Sequence, residues 1–311
     1  MSTKAIIDVG SNSIKLFVGN MAPDGTLQTI CDENDIARLG EGLRETGTIG
    51  REAMVRNCEA IARFADKARA NGAGEIVCVG TMALRNAKNA DAFVAMVREE
   101  SGVDITVISG EEEARLSYIA VLSGLPFLKG GNTASHKVAI FDTGGGSTEF
   151  VFGEGNTVSK RFSVDLGAIR ITEKYFNSDP VSQEDIHAAI AEIDSTFSEN
   201  GVAGNIAQLV GMGGTVTSMG AVKHKMATYD ADIIQGSTLT LADVNEQIAA
   251  YGAKTIEERK NIIGLQPKRA DVILAGACIL KVIMSRLGVD KLTISDRGLR
   301  HGMAFDILSR Q

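Results

Sequence analysis

The feature of this sequence that most constrains its fold is an internal repeat. The segment from Ala5 to Gly19 reads AIIDVGSNSIKLFVG, and the segment from Ala139 to Gly153 reads AIFDTGGGSTEFVFG. At the constant offset of 134 positions that separates them, six of the fifteen residues are identical. Each copy has a stretch typical of a strand, an aspartate, a turn of small residues and a second strand-like stretch. The repeat therefore predicts two related halves with one strand–turn–strand unit in each.

The remainder of the chain alternates between strand-like and helix-like segments. Apolar residues at helical spacing predict a helix from Arg51 to Ala70, which Asn71-Gly72 ends. Further strands are predicted at 75–81, 103–109, 208–213 and 291–295, and further helices at 91–100, 112–122, 182–199, 270–287 and 299–308. Because such alternation is typical of layered sheets and helices, we predict an α/β fold.

The repeat also divides the chain into two predicted domains that face each other across a cleft. We expect the first lobe at residues 1–124 plus about 297–311 and the second lobe at 125–296. The segment 125–137, which contains Pro126, Gly130, Gly131 and Asn132, is expected to connect the two lobes.

Composition narrows the class of protein. The formal net charge of −7 disfavours broad binding to nucleic acid, although a bound metal or a local cationic groove still allows a polyanionic substrate. No apolar run reaches the roughly 18 residues that cross a membrane. None of Cys31, Cys58, Cys78 and Cys278 forms a C-x-x-C pair. We therefore expect a cytoplasmic protein that binds neither membrane nor nucleic acid.

Three turns rich in Gly, Ser and Thr follow predicted strands: Asp8–Ser13, Asp142–Thr148 and Gly211–Ser218. Glycine lets backbone N–H groups approach an anion closely, and the hydroxyls add donors. An aspartate repels phosphate but suits Mg²⁺, so carboxylate plus loop amides predicts a metal–phosphate site. The chain has no Gly-Lys pair, which excludes a Walker loop, and Glu149 and Val216 break the dinucleotide pattern. A structural role for any single turn stays open.

A run of three glutamates, Glu111 to Glu113, follows a predicted strand and opens a predicted helix. Acidic residues favour the amino terminus of a helix, which is the ordinary interpretation of Glu111 and Glu112. Glu113 could instead take a proton from water that attacks phosphorus, if this helix lines the site. Arg85, which follows a strand end, is interpreted either as a phosphate clamp or as a surface arginine.

The motifs together resemble those of the exopolyphosphatase and guanosine pentaphosphate phosphohydrolase family, within the actin-like ATPase superfamily. The matching stretches occur in family order: Asp8–Ser13, Gly80–Arg85, Ile108–Arg115, Asp142–Glu149, Leu166–Glu173, Gly211–Thr215 and Arg269–Asp271. The Ser-Gly-Glu-Glu-Glu-Ala-Arg stretch is the most specific, because it separates this family from actin-like kinases. Thr143 and Lys15 depart mildly from the residues usual in the family.

The resemblance implies two actin-like, ribonuclease H-like lobes with Mg²⁺ as cofactor and a possible homodimer. It implies that Glu113 is the catalytic base and that Asp142, Glu149 and Asp8 serve the metal. The residues that it places around phosphate are Ser11, Asn12, Ser13, Arg85, Gly144, Gly145, Gly146, Ser147, Thr148, Gly213 and Gly214.

The expected activity is that of an exopolyphosphatase, which releases terminal phosphate from linear inorganic polyphosphate. Three alternatives stay open at this point. The substrate could be guanosine pentaphosphate, cleaved at its 5′ side. The chain could be an actin-like kinase that uses ATP, which the glutamate run disfavours. It could also be a non-enzymatic sensor that binds guanosine penta- or tetraphosphate.

Overall fold

The computed structural model describes residues 2–125, 137–155 and 157–310. Most of the connection predicted at 125–137 therefore lies outside the described residues. The chain forms two compact units, one of Met1–Ser123 with Gly298–Gln311 and one of Gly124–Arg297.

The first unit contains a five-stranded sheet in the order β3-β2-β1-β4-β5. Strands β1, β2 and β3 form an antiparallel meander, and β4 and β5 extend the sheet in parallel with β1. The strands are β1 Lys4–Val9, β2 Ile14–Met21, β3 Leu27–Asp35, β4 Glu75–Gly80 and β5 Ile105–Val107. The helices are α1 Leu43–Thr46, α2 Arg51–Ala70, α3 Met82–Asn86, α4 Ala90–Ser101, α5 Gly110–Gly124, whose last residue starts the second unit, and α13 Leu299–Leu308.

The second unit contains a six-stranded sheet in the order β10-β11-β9-β6-β7-β8. Its strands are β6 Lys137–Thr143, β7 Thr148–Glu154, β8 Thr157–Val164, β9 Gln208–Met212, β10 Thr238–Thr240 and β11 Lys291–Ser295. Its helices are α6 Ala168–Tyr175, α7 Gln183–Glu199, α8 Gly214–Lys223, α9 Ala231–Ile234, α10 Leu241–Gly252, α11 Ile256–Arg259 and α12 Ile273–Arg286, and a 3-10 turn spans Pro267–Arg269.

The repeat seen in the sequence recurs as a repeat of topology. In each unit an antiparallel meander is followed by a strand that pairs in parallel with its first strand, β4 with β1 and β9 with β6. Both meanders carry an irregularity at the same point of the repeat, between Val18 and Gly19 and between Phe152 and Gly153. The predicted α/β fold with duplicated halves is confirmed.

The hydrophobic cores of the two units hold strands β1 and β6, and the glycine-rich loops begin at the ends of these strands. All six residues of β1 are buried, because α2 covers one face and α13 the other. The alternation of a strand sends Ile7 into the cluster that includes α2 and Ile6 into the cluster that includes α13. In the second unit α12 is buried along most of its length, as its apolar, Ala-rich sequence predicts.

Most predicted elements lie where the pattern places them. Helix α2, strand β11 and helix α13 begin and end as predicted. Strand β5 is shorter than the predicted 103–109, and α12 begins only at Ile273 because the 3-10 turn at Pro267–Arg269 precedes it.

Candidate active site

The glycine-rich loop of the second unit joins β6 to β7 and is held by helix α6. The carbonyl oxygen of Gly144 accepts a hydrogen bond from the N–H of Ala168 at 2.9 Å, and that of Gly145 accepts from Ile169 at 2.9 Å. In a trans peptide the next N–H points away from the carbonyl. The N–H groups of Gly145 and Gly146 therefore point away from α6, as an anion-binding loop requires.

The corresponding loop of the first unit has the same construction. The N–H of Gly10 donates to the carbonyl of Ser13 at 3.0 Å, and the N–H of Gly144 donates to that of Ser147 at 2.9 Å. The carbonyls of Ser11 and Asn12 accept from Gly40 and Arg38. By the same peptide geometry, the N–H groups of Asn12 and Ser13 point away from those partners.

Two predicted carboxylates lie side by side next to the second loop. Asp142 and Glu149 are directly opposite each other in the pairing of β6 with β7. Two hydroxyls donate to one oxygen of Glu149, Ser147 at 2.5 Å and Ser163 at 2.9 Å. The predicted phosphate ligand Ser147 thus contacts a carboxylate, and Ser163 is a residue that the sequence did not single out.

Thr148 has a different environment from the other loop residues. Its side chain is fully buried, and its hydroxyl donates to the carbonyl of Leu166 at 2.7 Å. These contacts brace the loop from inside the fold, and the predicted contact of Thr148 with phosphate stays a prediction.

The third loop brings an unassigned arginine to the acidic pair. A Cβ on Gly213, whose φ is 83°, would lie 2.0 Å from Oδ1 of Asp142, and one on Gly214 would lie 1.9 Å from Nη2 of Arg269. The Asp142 side chain therefore lies against Gly213, and the Arg269 side chain lies against Gly214. Burial lowers the pKa of Arg269, and the attraction of Asp142 opposes that shift. Nε of Arg269 is buried without a hydrogen-bond partner. The sequence motif contained Arg269, but only the fold shows its position.

In the first unit the structure brings together Arg85 and Glu113. Arg85 lies in α3, which follows β4, and Glu113 lies in the first turn of α5, which follows β5. Because β4 and β5 are parallel neighbours, their carboxyl ends deliver both side chains to one edge of the sheet. Nη1 of Arg85 lies 2.8 Å from Oε2 of Glu113 and donates to the carbonyl of Ile108 at 2.9 Å.

Asp8 has a cation beside it. Its side chain is 7% exposed, and Nζ of Lys15 lies 4.0 Å from its Oδ2. Lys15 occupies the position directly opposite Asp8 in the pairing of β1 with β2. The assignment of Asp8 to a metal stays a prediction, with Lys15 as a competing positive charge.

The acidic pair of the second unit fits a divalent cation of the magnesium type. Within the described ranges no group of three or more His, Cys, Asp or Glu side chains could hold a metal ion. Mg²⁺ does not need such a group, because it keeps several waters and uses one or two carboxylates with substrate phosphates. Asp142 and Glu149 supply that number of carboxylates beside a loop of backbone donors.

The duplicated meander and its loop on two α/β units define a protein of the actin-like class. Residues 20–311 match the Ppx/GppA phosphatase family, and the chain belongs to that family. It is 31% identical to exopolyphosphatase 2 of Mycobacterium tuberculosis, with 97% of this chain and 98% of that protein covered.

Two further similarities agree with this membership. The chain is 33% identical to the guanosine-5'-triphosphate,3'-diphosphate pyrophosphatase of Aliivibrio fischeri over 98% of its own length, but it spans only 59% of that protein. A crystal structure of the Aquifex aeolicus member of the Ppx/GppA family covers 99% of this chain, with 98% of its own length matched, a TM-score of 0.86 and 30% identity. In the part of the chain that the structure describes, no helix has the length and apolar character needed to span a membrane.

Proposed function

We propose that this protein is an exopolyphosphatase, which hydrolyses the terminal phosphoanhydride bond of linear inorganic polyphosphate. The observation that carries the proposal is the contact between Arg85 and Glu113, which sets a candidate base beside a candidate phosphate clamp. The similarity to a protein named exopolyphosphatase 2, over nearly the whole of both chains, supports the same reaction. The free cysteines of the chain support a cytoplasmic location.

Arg85 can contact the base and the substrate at once. Its Nη1 lies 2.8 Å from Oε2 of Glu113 and donates to the Ile108 carbonyl. Nη2 and Nε remain for oxygens of the terminal phosphate, which a guanidinium binds as a fork. One planar group would then fix the distance between phosphate and base. Glu113 would orient a water molecule and accept its proton as the water attacks phosphorus.

The loops of the second unit would hold the phosphate oxygens. The N–H groups of Gly145 and Gly146 and the amino end of α8 at Gly214 are donors for that purpose. Asp142 and Glu149 would hold a magnesium ion, which when bound neutralises charge that develops on the phosphoryl oxygens. Arg269 adds a fixed positive charge beside Asp142. Ser11, Asn12 and Ser13 form the matching loop of the first unit.

Guanosine pentaphosphate is the second candidate substrate, because a pyrophosphatase of that nucleotide is among the similar proteins. The chemistry at phosphorus would be the same, since both substrates end in a phosphoanhydride. A sensor that binds the nucleotide without turnover would use the same loops but would not need Glu113.

The test is phosphate release with Mg²⁺ from long polyphosphate, a short oligophosphate and guanosine pentaphosphate in parallel. We expect release from the inorganic chains, and we expect Glu113→Gln to abolish turnover while substrate still binds. Glu111→Gln is the matched control in the same helical turn. Release chiefly from the nucleotide would make the second candidate correct. Binding without release from any substrate would contradict both hydrolase assignments.

A further inference from the structure

The glutamate next to Glu113 belongs to a cluster of charges that the proposed reaction does not use. Arg115 donates from Nε and Nη2 to the two oxygens of Glu112, at 2.8 and 2.7 Å. The same guanidinium donates from Nη1 and Nη2 to the two oxygens of Asp306, both at 3.1 Å. Arg310 adds a bond of 2.7 Å to Asp306. One arginine of α5 thereby joins the first turn of that helix to α13.

The helix geometry directs two consecutive glutamates, Glu112 and Glu113, to different sides of α5. Successive residues of an α-helix are rotated by about 100°, whereas residues three apart lie on one face. Glu112 and Arg115 therefore share the face that meets α13, and Glu113 extends to Arg85 on another side. Glu112 therefore contacts Arg115, whereas Glu113 contacts Arg85.

The two helices approach so closely that α13 serves as a platform for α5. A Cβ on Gly302 would lie 1.9 Å from the carbonyl oxygen of Leu116 and 3.1 Å from the N of Ala120. Leu116 and Leu299 also share a buried cluster at this contact. The backbone of α5 just beyond Arg115 is thus fixed by packing.

The first turn of α5 is held by hydrogen bonds. The first N–H groups of a helix have no partner within the helix, and helix ends fray. Here the N–H of Glu112 donates to the Ser109 hydroxyl at 3.1 Å, and that of Glu113 donates to the Ser109 carbonyl at 3.0 Å. The bonds from Arg115 tie this turn to a second helix.

The groups of this cluster stabilise one another in their charged forms. The hydrogen bond from Arg115 lowers the pKa of Glu112. Burial acts to raise the pKa of Asp306, but hydrogen bonds from Arg115 and Arg310 lower it overall. The hydrogen bonds to Glu112 and Asp306 raise the pKa of Arg115. All three groups are therefore charged at neutral pH.

We propose that Arg115 and Asp306 are positioning residues for the candidate base: they hold the first turn of α5 against α13, so that the Glu113 carboxylate keeps its place beside Arg85. The proposal rests on the proposed function for its catalytic consequence. Its structural part, the ordering of residues 109–116 by α13, can be tested without any substrate.

The experiment compares Arg115→Met, Arg115→Lys and Asp306→Asn with wild type. Arg98→Met is the control, because Arg98 is 73% exposed, lies in the same unit and forms an ion pair with the exposed Asp104 at 3.3 Å. Hydrogen exchange of residues 109–116 and of α2 is measured without substrate. The kcat and KM for phosphate release are then measured on the substrate that wild type cleaves, together with the melting temperature.

We expect Arg115→Met to lower kcat about tenfold with KM changed less than about twofold, because the base is displaced while the phosphate contacts remain. Exchange in 109–116 should rise about tenfold, with exchange in α2 unchanged. Lysine can pair with one carboxylate but cannot bridge two as a fork, so Arg115→Lys should recover part of the kcat. The kcat of Asp306→Asn should lie between those of Arg115→Met and Arg115→Lys.

Unchanged exchange in residues 109–116 of Arg115→Met would overturn the proposal whatever the activity. Faster exchange in α2 as well, with a kcat loss equal to the loss of folded protein, would also overturn it by showing a merely global effect. Absence of phosphate release by wild type would contradict the proposed function alone, and the exchange result would still decide the positioning role.

Discussion

The two strand–turn–strand hairpins of this chain have the same backbone and different charges. Asp8 and Asp142 stand at matching positions at the offset of 134, and each turn is closed by the same hydrogen bond. The residue opposite the aspartate differs, because it is Lys15 in the first unit and Glu149 in the second. The cation beside Asp142 is Arg269, which comes from outside the hairpin.

The difference shows how one duplicated scaffold can serve two tasks. Asp8 and Lys15 together carry no net charge, so the first hairpin offers its loop to an anion. Asp142, Glu149 and Arg269 together keep one negative charge, which suits a divalent cation that neutralises phosphate. We therefore propose that the second hairpin, in preference to the first, would hold the metal ion.

The largest expected effect comes from giving the second hairpin the charge of the first. Glu149→Lys would place an ammonium opposite Asp142 and exclude a divalent cation. We expect the Mg²⁺-dependent kcat/KM for polyphosphate to fall by about 100-fold or more.

The reciprocal change, Lys15→Glu, provides the comparison for that experiment. It should weaken binding of the phosphate chain and destabilise the first unit, since it sets a second carboxylate against the buried Asp8. It should leave the Mg²⁺ concentration for half-maximal activity unchanged. Equal shifts in Mg²⁺ dependence for both variants would contradict the distinction between the hairpins.

A smaller effect is expected at the glycine where the parallel strand of each unit ends, which is Gly213 just after β9 and Gly80 as the last residue of β4. Gly213→Ala would bring a Cβ within 2.0 Å of Asp142 at a φ of 83°, so we expect a loss of about 2–3 kcal/mol in unfolding free energy. At the matching Gly80 the nearest atom is the flexible end of Leu84 at 2.4 Å. Gly80→Ala should therefore cost less. Chemical denaturation of both variants checks this order.

The third strand of the first meander gives that unit a distinct response to acid. Burial acts to raise the pKa of Asp32, but the hydrogen bond from His301 and the attraction of Arg300 lower it from 3.8 to about 2. The unfolded chain binds this proton more readily. The carboxylate thus stabilises the fold above pH 3.8, and that contribution is lost as pH falls through about 2.

Asp32→Asn should therefore lower the unfolding free energy at pH 7 by about 2 kcal/mol and flatten its decline between pH 4 and pH 2. Urea unfolding across this range measures both effects. Asp35→Asn is the control on the same strand, where Asp35 pairs with the exposed Arg63. An equal loss in both variants would show that the contacts of Asp32 with α13 are not the cause.

The smallest predicted effect concerns the residue opposite Glu149 on the third strand. Ser163→Ala removes one of two hydroxyl donors to Glu149, so Mg²⁺ should bind about fivefold more weakly, the equivalent of about 1 kcal/mol. Asn34 lies opposite Lys15 in the first unit and is the matched control. Titration of Mg²⁺ in the activity assay should shift for Ser163→Ala and stay unchanged for Asn34→Ala.

The sequence predicted those parts of the molecule that local patterns specify. Helix α2 was predicted residue for residue, because its buried positions, such as Met54, Ile61 and Phe64, recur at helical spacing. The two glycine-rich loops were predicted because turns need particular residues at particular places. Strands β3 and β8 were missed, since as edge strands they expose most of their polar residues and show little apolar periodicity.

The contacts that distant segments make could not be predicted in this way. Nothing local to Arg269 indicates that it lies against Gly214, more than 50 positions away. The separate contacts of Glu112 and Glu113 depend on which face of α5 meets α13, and that is a property of packing. The opposite charges of Lys15 and Glu149, at matching positions of the repeat, are visible in the sequence. Only the strand register shows that each lies opposite an aspartate.

The most direct test of the metal assignment is to measure Mn²⁺ binding by electron paramagnetic resonance in the presence of a non-hydrolysable imidotriphosphate. We predict that wild type and Lys15→Met bind the ion with similar affinity and that Glu149→Lys and Asp142→Asn lose it. Retained binding in both second-hairpin variants, with loss in Asp8→Asn, would contradict the assignment of the metal to the second hairpin.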